Sequence, residues 1–213
     1  MFDASGAIIA TAAAWSGSPD ASALREAGSR VGAFPFKEGS ADSALLRTLG
    51  PGNYTVQVSG RLASAGVVLI EAYDLDAVTG GSRLVNLSTR GTVGTGENIM
   101  IAGFSVGGDT PIKLLIRAVG PSLARFGVTD PIALPTMGLS NSTSGPIYPG
   151  GSWSTSNHAE LRAAAVRAGA FPLDEGSRDS AWIRTVPPGN WFVQVFGYES
   201  SQGAGLVEVY EVP

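Results

Sequence analysis

One stretch of this chain is written twice. VGAFPFKEGSADSALLRTLGPGNYTVQVSG (Val31 to Gly60) returns 137 residues later as AGAFPLDEGSRDSAWIRTVPPGNWFVQVFG (Ala168 to Gly197), with 19 of 30 aligned positions identical and no gap. Beyond it, VVLIEAYDL (Val67 to Leu75) returns as AGLVEVYEV (Ala204 to Val212). Upstream the likeness is looser: FDASGAIIATAAAW resembles LSNSTSGPIYPGGSW with a one- or two-residue gap. Self-similarity at a fixed spacing marks a repeat architecture. The intervening segment, roughly Val78 to Met137, has no counterpart in the first copy. The expected organisation is therefore one and a half modules: residues 1–77 as the back half of a module, completed by upstream or partner strands, and residues 78–213 as a complete one.

Composition narrows the class. Hydrophobic residues make up 44% of the 213, enough to offset the conformational entropy of folding. Charged residues are only 15%, against about 25% in ordinary domains. A surface so poor in charge tends to be covered by a partner. The net charge of −4 supplies no basic patch and argues against nucleic acid as a partner. With no cysteine there are no disulfides, thiolate metal sites or thiol nucleophiles. No apolar run approaches the ~20 residues of a membrane span, and MFDASG does not read as a signal peptide.

Short alternating segments bounded by Gly, Pro, Asn and Asp predict an all-β sandwich of the jelly-roll kind, with one short helix per module. Strands are expected near Leu84 to Arg90, Asn98 to Val106, Ile112 to Val119, Pro135 to Asn141, Pro146 to Trp153, Ser180 to Val186, Asn190 to Tyr198 and Leu206 to Val212. Asn157-His158-Ala159-Glu160 has the spacing of a helix N-cap followed by a carboxylate. The helix LRAAAVRAG would stop at Gly169, with a shorter equivalent near Ala21 to Ala27. Pro51-Gly52-Asn53 and Pro188-Gly189-Asn190 carry turn chemistry and predict a hairpin before the following strand. GTVGTGEN and SVGGDTP also read as hairpin turns, since neither has the Lys-Ser/Thr of a phosphate loop.

The strand after PGN alternates with period two. Tyr54, Val56 and Val58 in one copy, and Trp191, Val193 and Val195 in the other, belong to the core face. On the opposite face Thr55 and Ser59 have become Phe192 and Phe196. Either the helix or a loop of the same module covers these rings, or they meet a neighbouring module or subunit. Phe192, Phe196 and Trp182 are the candidate assembly residues.

RLVNLSTRGTVGTGENIMIAGFSVGGDTPIKLLIRAVGPSLARFGV, followed by LRAAAVRAGAFPLDEGSRDSAWIRTVPPGNWFVQVFG, resembles a tandem repeat of about 130 residues in very large exported proteins of Verrucomicrobia-type bacteria. The resemblance spans Arg83 to Val212. More distantly, the SG turn, the Trp after it and the PPGNYTVQV-type strand are similar to bacterial pre-peptidase C-terminal domains, which are secreted jelly rolls. The resemblance implies a β-sandwich, tandem arrangement and an extracellular or cell-surface location. It brings no catalytic residues, and SNSTSG lacks the acidic residues of the pre-peptidase calcium site.

Chemistry-bearing residues are few. His158, the only histidine, sits at a helix start and has no counterpart in SPDASAL, so it reads as a surface residue and not as part of a triad or metal site. Asp42 and Asp179 recur in GSxDSA, with Arg47 and Arg184 five residues on, an odd separation that opposes them on a strand. A turn bond to backbone N–H groups suits the aspartates. Calcium at Asp174, Glu175 and Asp179 is the weaker alternative, because Lys37 replaces Asp174 in the first copy. Asn53, Asn86 and Asn141 match the glycosylation acceptor pattern, as chance occurrences. No catalytic residue, cofactor or metal is expected.

A half sandwich would expose strand edges and an apolar face including Ile8, Leu46, Tyr54, Val56, Val58 and Ile70. Three readings fit: a segment of a longer array, strand borrowing from another copy, or a reduced domain packed on the complete one. The leading expectation is a non-enzymatic extracellular structural module, forming a stalk, fibre or filament with copies of itself or adjacent modules. The alternative is a secreted carbohydrate-binding or adhesion module, in which Trp15, Trp153, Trp182 and Trp191 would stack on surface glycans.

Overall fold

The computed structural model describes residues 1–76, 83–148, 152–155 and 158–212, and the chain divides into two compact units, Met1–Leu84 and Val85–Pro213. The expected boundary at 77/78 lies outside the described residues. Among the described residues seven strands build the second unit: β1 (Asn86–Val93), β2 (Met100–Val106), β3 (Ile112–Val119), β4 (Pro135–Asn141), β5 (Ser180–Val186), β6 (Gly189–Gly197) and β7 (Gly203–Glu211). Among the described residues each unit carries one α-helix, α1 (Ala21–Val31) in the first and α2 (His158–Arg167) in the second.

The strands form two antiparallel sheets, ordered β1-β7-β3-β5 and β2-β6-β4. This is the all-β sandwich expected from the alternation of the sequence. Successive strands always fall in opposite sheets, so no two consecutive strands pair. That corrects the hairpin expectation at Pro188-Gly189-Asn190, which carries the chain from one sheet to the other. Pro187 and Pro188 have no N–H to extend a ladder. Gly189 takes φ +139°, a conformation that L side chains rarely adopt. The Trp191 Nε1–H donates to the Pro187 carbonyl at 3.0 Å and fixes the corner. GTVGTGEN and SVGGDTP are likewise crossovers and not hairpins. The strand expected over Pro146 to Trp153 is also corrected: among the described residues Ile147 makes a single bridge to Leu139, and Trp153 begins a one-turn 3-10 helix.

Period-two alternation sets the faces. Leu114, Ile116 and Ala118 of β3, Val193 and Val195 of β6, and Val207 and Val209 of β7 fill the space between the sheets. The odd-numbered residues of β3 lie on the other face, where a second core forms. Leu115 and Val119 pack there with Leu161 and Ala164 of α2, Trp153, Leu173 and Tyr210. The helix stops as expected, with Gly169 at φ +69° and the Ala170 N–H donating to the Ala165 carbonyl. Asn157, the expected cap, lies outside the described residues.

In the first unit the local structure of the repeat persists and the sheets do not. α1 runs 11 residues, longer than the short helix expected, and ends at Gly32 with φ +72°. Among the described residues of 1–84, no strand forms; the ladder is reduced to the bridges Phe2↔Ile8 and Phe2↔Thr55. Tyr54, Val56 and Val58, expected in a core, are exposed there, as are Ile8 and Ile70, while Leu46 is half-buried. The cause is topological. In the second unit β5 pairs only with β3, β7 with β1 and β3, and β6 with β2 and β4. The repeated stretch begins near the end of β4, so the counterparts of β5 and β7 have no partner strand within residues 1–84. The one pairing internal to the repeated stretch, β4 with β6, is the one that survives as Phe2↔Thr55.

Gly203 tests how tightly the second unit is built. Its φ is +142°, and a Cβ there would meet the Asp130 carbonyl oxygen and the Ile132 nitrogen, both at 2.8 Å. Its counterpart Gly66 has open space around it. Gly203→Ala should lower stability by about 1–3 kcal/mol or more, whereas Gly66→Ala should be close to neutral, in chemical denaturation monitored by tryptophan fluorescence.

Candidate functional site

The second unit is held across its two halves by buried polar groups, and these form the most built feature of the molecule. Arg117 on β3 stands directly opposite Glu208 on β7 in the ladder, and both are buried, at 1% and 4% exposure. The Arg117 Nε–H donates to Glu208 Oε2 at 2.7 Å, and an Nη joins the same oxygen. The other Nη donates to the Phe171 carbonyl at 2.6 Å. Glu208 Oε1 accepts the Tyr210 hydroxyl at 2.7 Å. The guanidinium lies 4.4 Å from the Phe171 ring centroid. No buried side-chain polar atom lacks a partner among the described residues. Burying an ion pair gains little net stability, but removing one member strands a charge. A one-residue slip of β3 would turn Arg117 into the apolar space between the sheets, so the pair also fixes register.

The second joint is Asp179, fully buried. Its carboxylate accepts the Gly120 N–H at 2.8 Å, the Ser122 N–H at 3.4 Å, the Ser122 hydroxyl, and the Ser177 hydroxyl at 2.5 Å. The backbone-binding role expected for this aspartate holds, but the N–H groups it binds are in a turn 57–59 residues away, and its own loop contributes only the Ser177 hydroxyl. The Trp153 N–H donates to the Asp179 carbonyl at 2.9 Å, and its indole N–H donates to Ser177 Oγ at 2.9 Å.

The first unit keeps the local part of this arrangement. The Trp15 N–H donates to the Asp42 carbonyl at 2.8 Å, its indole N–H to Ser40 Oγ at 3.2 Å, and the Ser40 hydroxyl to Asp42 Oδ2 at 2.6 Å. The ion pair Arg25–Glu38 repeats as Arg162–Glu175, with Arg25 lying over Trp15 and Arg162 over Trp153. Asp3 and Asn141 each close an Asx turn at the start of the repeated stretch.

The remaining candidates are scattered. Phe192 is 41% exposed on the outer face of the three-stranded sheet, between Gly103 and Ser140. Phe196 on the same face is half-buried, edge-on to Tyr148 at 6.0 Å. A loop of the same module thus covers one ring and leaves the other beside exposed Ile101. Trp182 is not part of that face: it is half-buried against the inter-sheet core, with the Arg184 guanidinium at 4.1 Å. Trp15, Trp153 and Trp191 are buried. Asp174 pairs with Arg125, and Glu175 with Arg162 and His158, so these carboxylates diverge from Asp179. The His158 ring packs 4.3 Å from Trp153. Among the described residues no group of three or more His, Asp or Glu is placed to hold a metal ion, and no helix is long and apolar enough to cross a membrane. The sequence reading passed over Arg117, Glu208 and Tyr210. The signal was there: Glu71-Ala-Tyr73 and Glu208-Val-Tyr210 occupy equivalent places in the two copies.

No protein-family model and no curated protein matches the chain. Among solved structures, the chain is similar to the crystal structure of the pre-peptidase C-terminal domain of a collagenase from Bacillus anthracis. That likeness has a TM-score of 0.35 and 14% identity, over 59% of this chain and 89% of that one.

Two predictions follow from the joints. Asp179→Ala should cost about 3 kcal/mol or more, because it leaves buried N–H and hydroxyl donors unmatched. Asp42→Ala, at an exposed counterpart, should cost less than about 1 kcal/mol in the same denaturation assay. Burial, and then the hydrogen bond to Glu208, raise the Tyr210 phenol above its ordinary value. Its contribution is therefore complete below about pH 10 and is lost as pH rises further. Tyr210→Phe should flatten the alkaline fall in stability above about pH 10, read by denaturation at stepped pH.

Proposed function

We propose that this chain is a non-enzymatic structural repeat module of an extracellular stalk, fibre or filament, assembled by tandem or strand-complemented contacts between copies of the repeat. One observation carries the reading: every strand of the repeated back half finds its ladder partners in β1–β4. A back half alone therefore leaves Val56, Val58, Val67 and Ile70 exposed, as in the first unit. Exposed apolar segments with unsatisfied backbone recruit other strands. The low charge of the chain and the exposed Phe192 and Ile101 add a second apolar face on the complete sandwich. The carbohydrate-binding alternative draws less support, since three of the four tryptophans are buried and Trp182 packs under Arg184.

Sedimentation velocity and negative-stain electron microscopy across a concentration series test the proposal. Concentration-dependent higher-order species, and ultimately linear particles, are the expected result; a strictly monomeric chain at high concentration overturns it. Phe192→Ser with Phe196→Ser should shift the series toward smaller species while leaving the thermal transition largely in place.

A further inference from the structure

We infer that residues 1–75 form a docking site for one particular element: a strand and turn with the chemistry of Ile112–Phe126, presented by another copy of the repeat. The inference rests on the assembly reading above and names the joint through which it would act.

In the second unit this element is the hub of the module. β3 lies between β7 and β5, and the Gly120-Pro121-Ser122 turn follows it directly. Its polar groups reach a defined set of acceptors in the back half. Arg117 engages Glu208, whose other oxygen holds Tyr210, and also the Phe171 carbonyl and ring. Gly120 and Ser122 engage Asp179, which is seated by Ser177 and Trp153.

Each of these back-half groups has a chemically identical counterpart in the first unit: Glu71, Tyr73, Phe34, Asp42, Ser40 and Trp15. Several are already arranged as in the complete module. The Tyr73 hydroxyl donates to Glu71 Oε1 at 3.0 Å, as Tyr210 does to Glu208. Ser40 and Trp15 seat Asp42 as Ser177 and Trp153 seat Asp179. What differs is the arginine side. Glu71 and Asp42 are exposed, no ion pair to either is found among the described residues, and Phe34 is 54% exposed where Phe171 lies under Arg117. The same residues, doing the same hydrogen bonding in the second copy, specify the occupant: a strand with an arginine three residues before Gly-Pro-Ser. Docking would pair the counterparts of β5 and β7, residues 43–49 and 66–74, with a strand between them. It would also bury an Arg–Glu pair and give Asp42 its backbone donors.

The test uses the intact chain and a fluorescently labelled synthetic peptide of Ile112–Phe126, IKLLIRAVGPSLARF, followed by anisotropy. Saturable one-to-one binding is expected. Peptides carrying Arg117→Met or Ser122→Ala should bind at least about tenfold more weakly, as should the unaltered peptide to a chain carrying Glu71→Gln. The peptide variants leave the protein untouched, so they report recognition and not folding. Absence of binding, or binding indifferent to all three changes, overturns the inference, as does binding lost on Glu208→Gln and kept on Glu71→Gln. Peptide binding by a chain that never assembles would sustain this site and remove the assembly reading. A chain that assembles but ignores the peptide would do the reverse.

Discussion

The whole sandwich depends on hydrogen bonding between segments far apart in the chain. Because consecutive strands alternate between sheets, no ladder can form from a local hairpin. β7 closes against β1 and β3, more than a hundred and about ninety residues away respectively, as the pairs Asn86↔Tyr210 and Arg117↔Glu208 show. Such a fold must meet the loop-closure entropy before ladder bonds and burial repay it. It is cooperative by construction: remove β3 and both β5 and β7 lose a neighbour directly. The first unit displays that consequence, keeping its helix, Trp corner and Asx turn while its strand segments stand exposed.

The buried polar joints are placed where this dependence is greatest. Arg117 and Asp179 each tie the front half of the module to the back half, from the two ends of the β3-to-turn element. Neither is needed for apolar burial, which Leu115, Ile116 and Val207 already provide. Their effect is on register and order of assembly, since a misaligned β3 would leave a guanidinium and a carboxylate buried without partners. The same chemistry that specifies the fold within one module can specify recognition between modules, because the acceptors in the two copies are identical side chains.

Much of the architecture was legible beforehand. Alternation in IKLLIRAV and PTMGLSN placed β3 and β4 at their observed bounds, and Gly169 marked the end of α2. The PGN turns were misread because their composition suits a hairpin as well as a crossover. Only the location of the partner strand distinguishes the two, and that is a property of the sheet. The apolar face of Tyr54, Val56 and Val58 was recognised correctly as a pattern, but a pattern becomes a core only when a second sheet exists to cover it. Phe192 and Phe196 were seen as one patch; a ring from Tyr148, dozens of residues upstream, packs on Phe196 and leaves Phe192 exposed.

The sequence by itself determined the repeat, the strand periodicity, the helix stop and the absence of thiol chemistry, since each is written in local spacing or in composition. The tertiary structure decided which repeated residues matter. Glu71 and Glu208 are indistinguishable as letters, as are Asp42 and Asp179. One of each pair is buried beneath an arginine or a glycine-proline-serine turn, and the other is exposed. The difference lies in whether a distant strand is present to meet them, which local spacing does not encode.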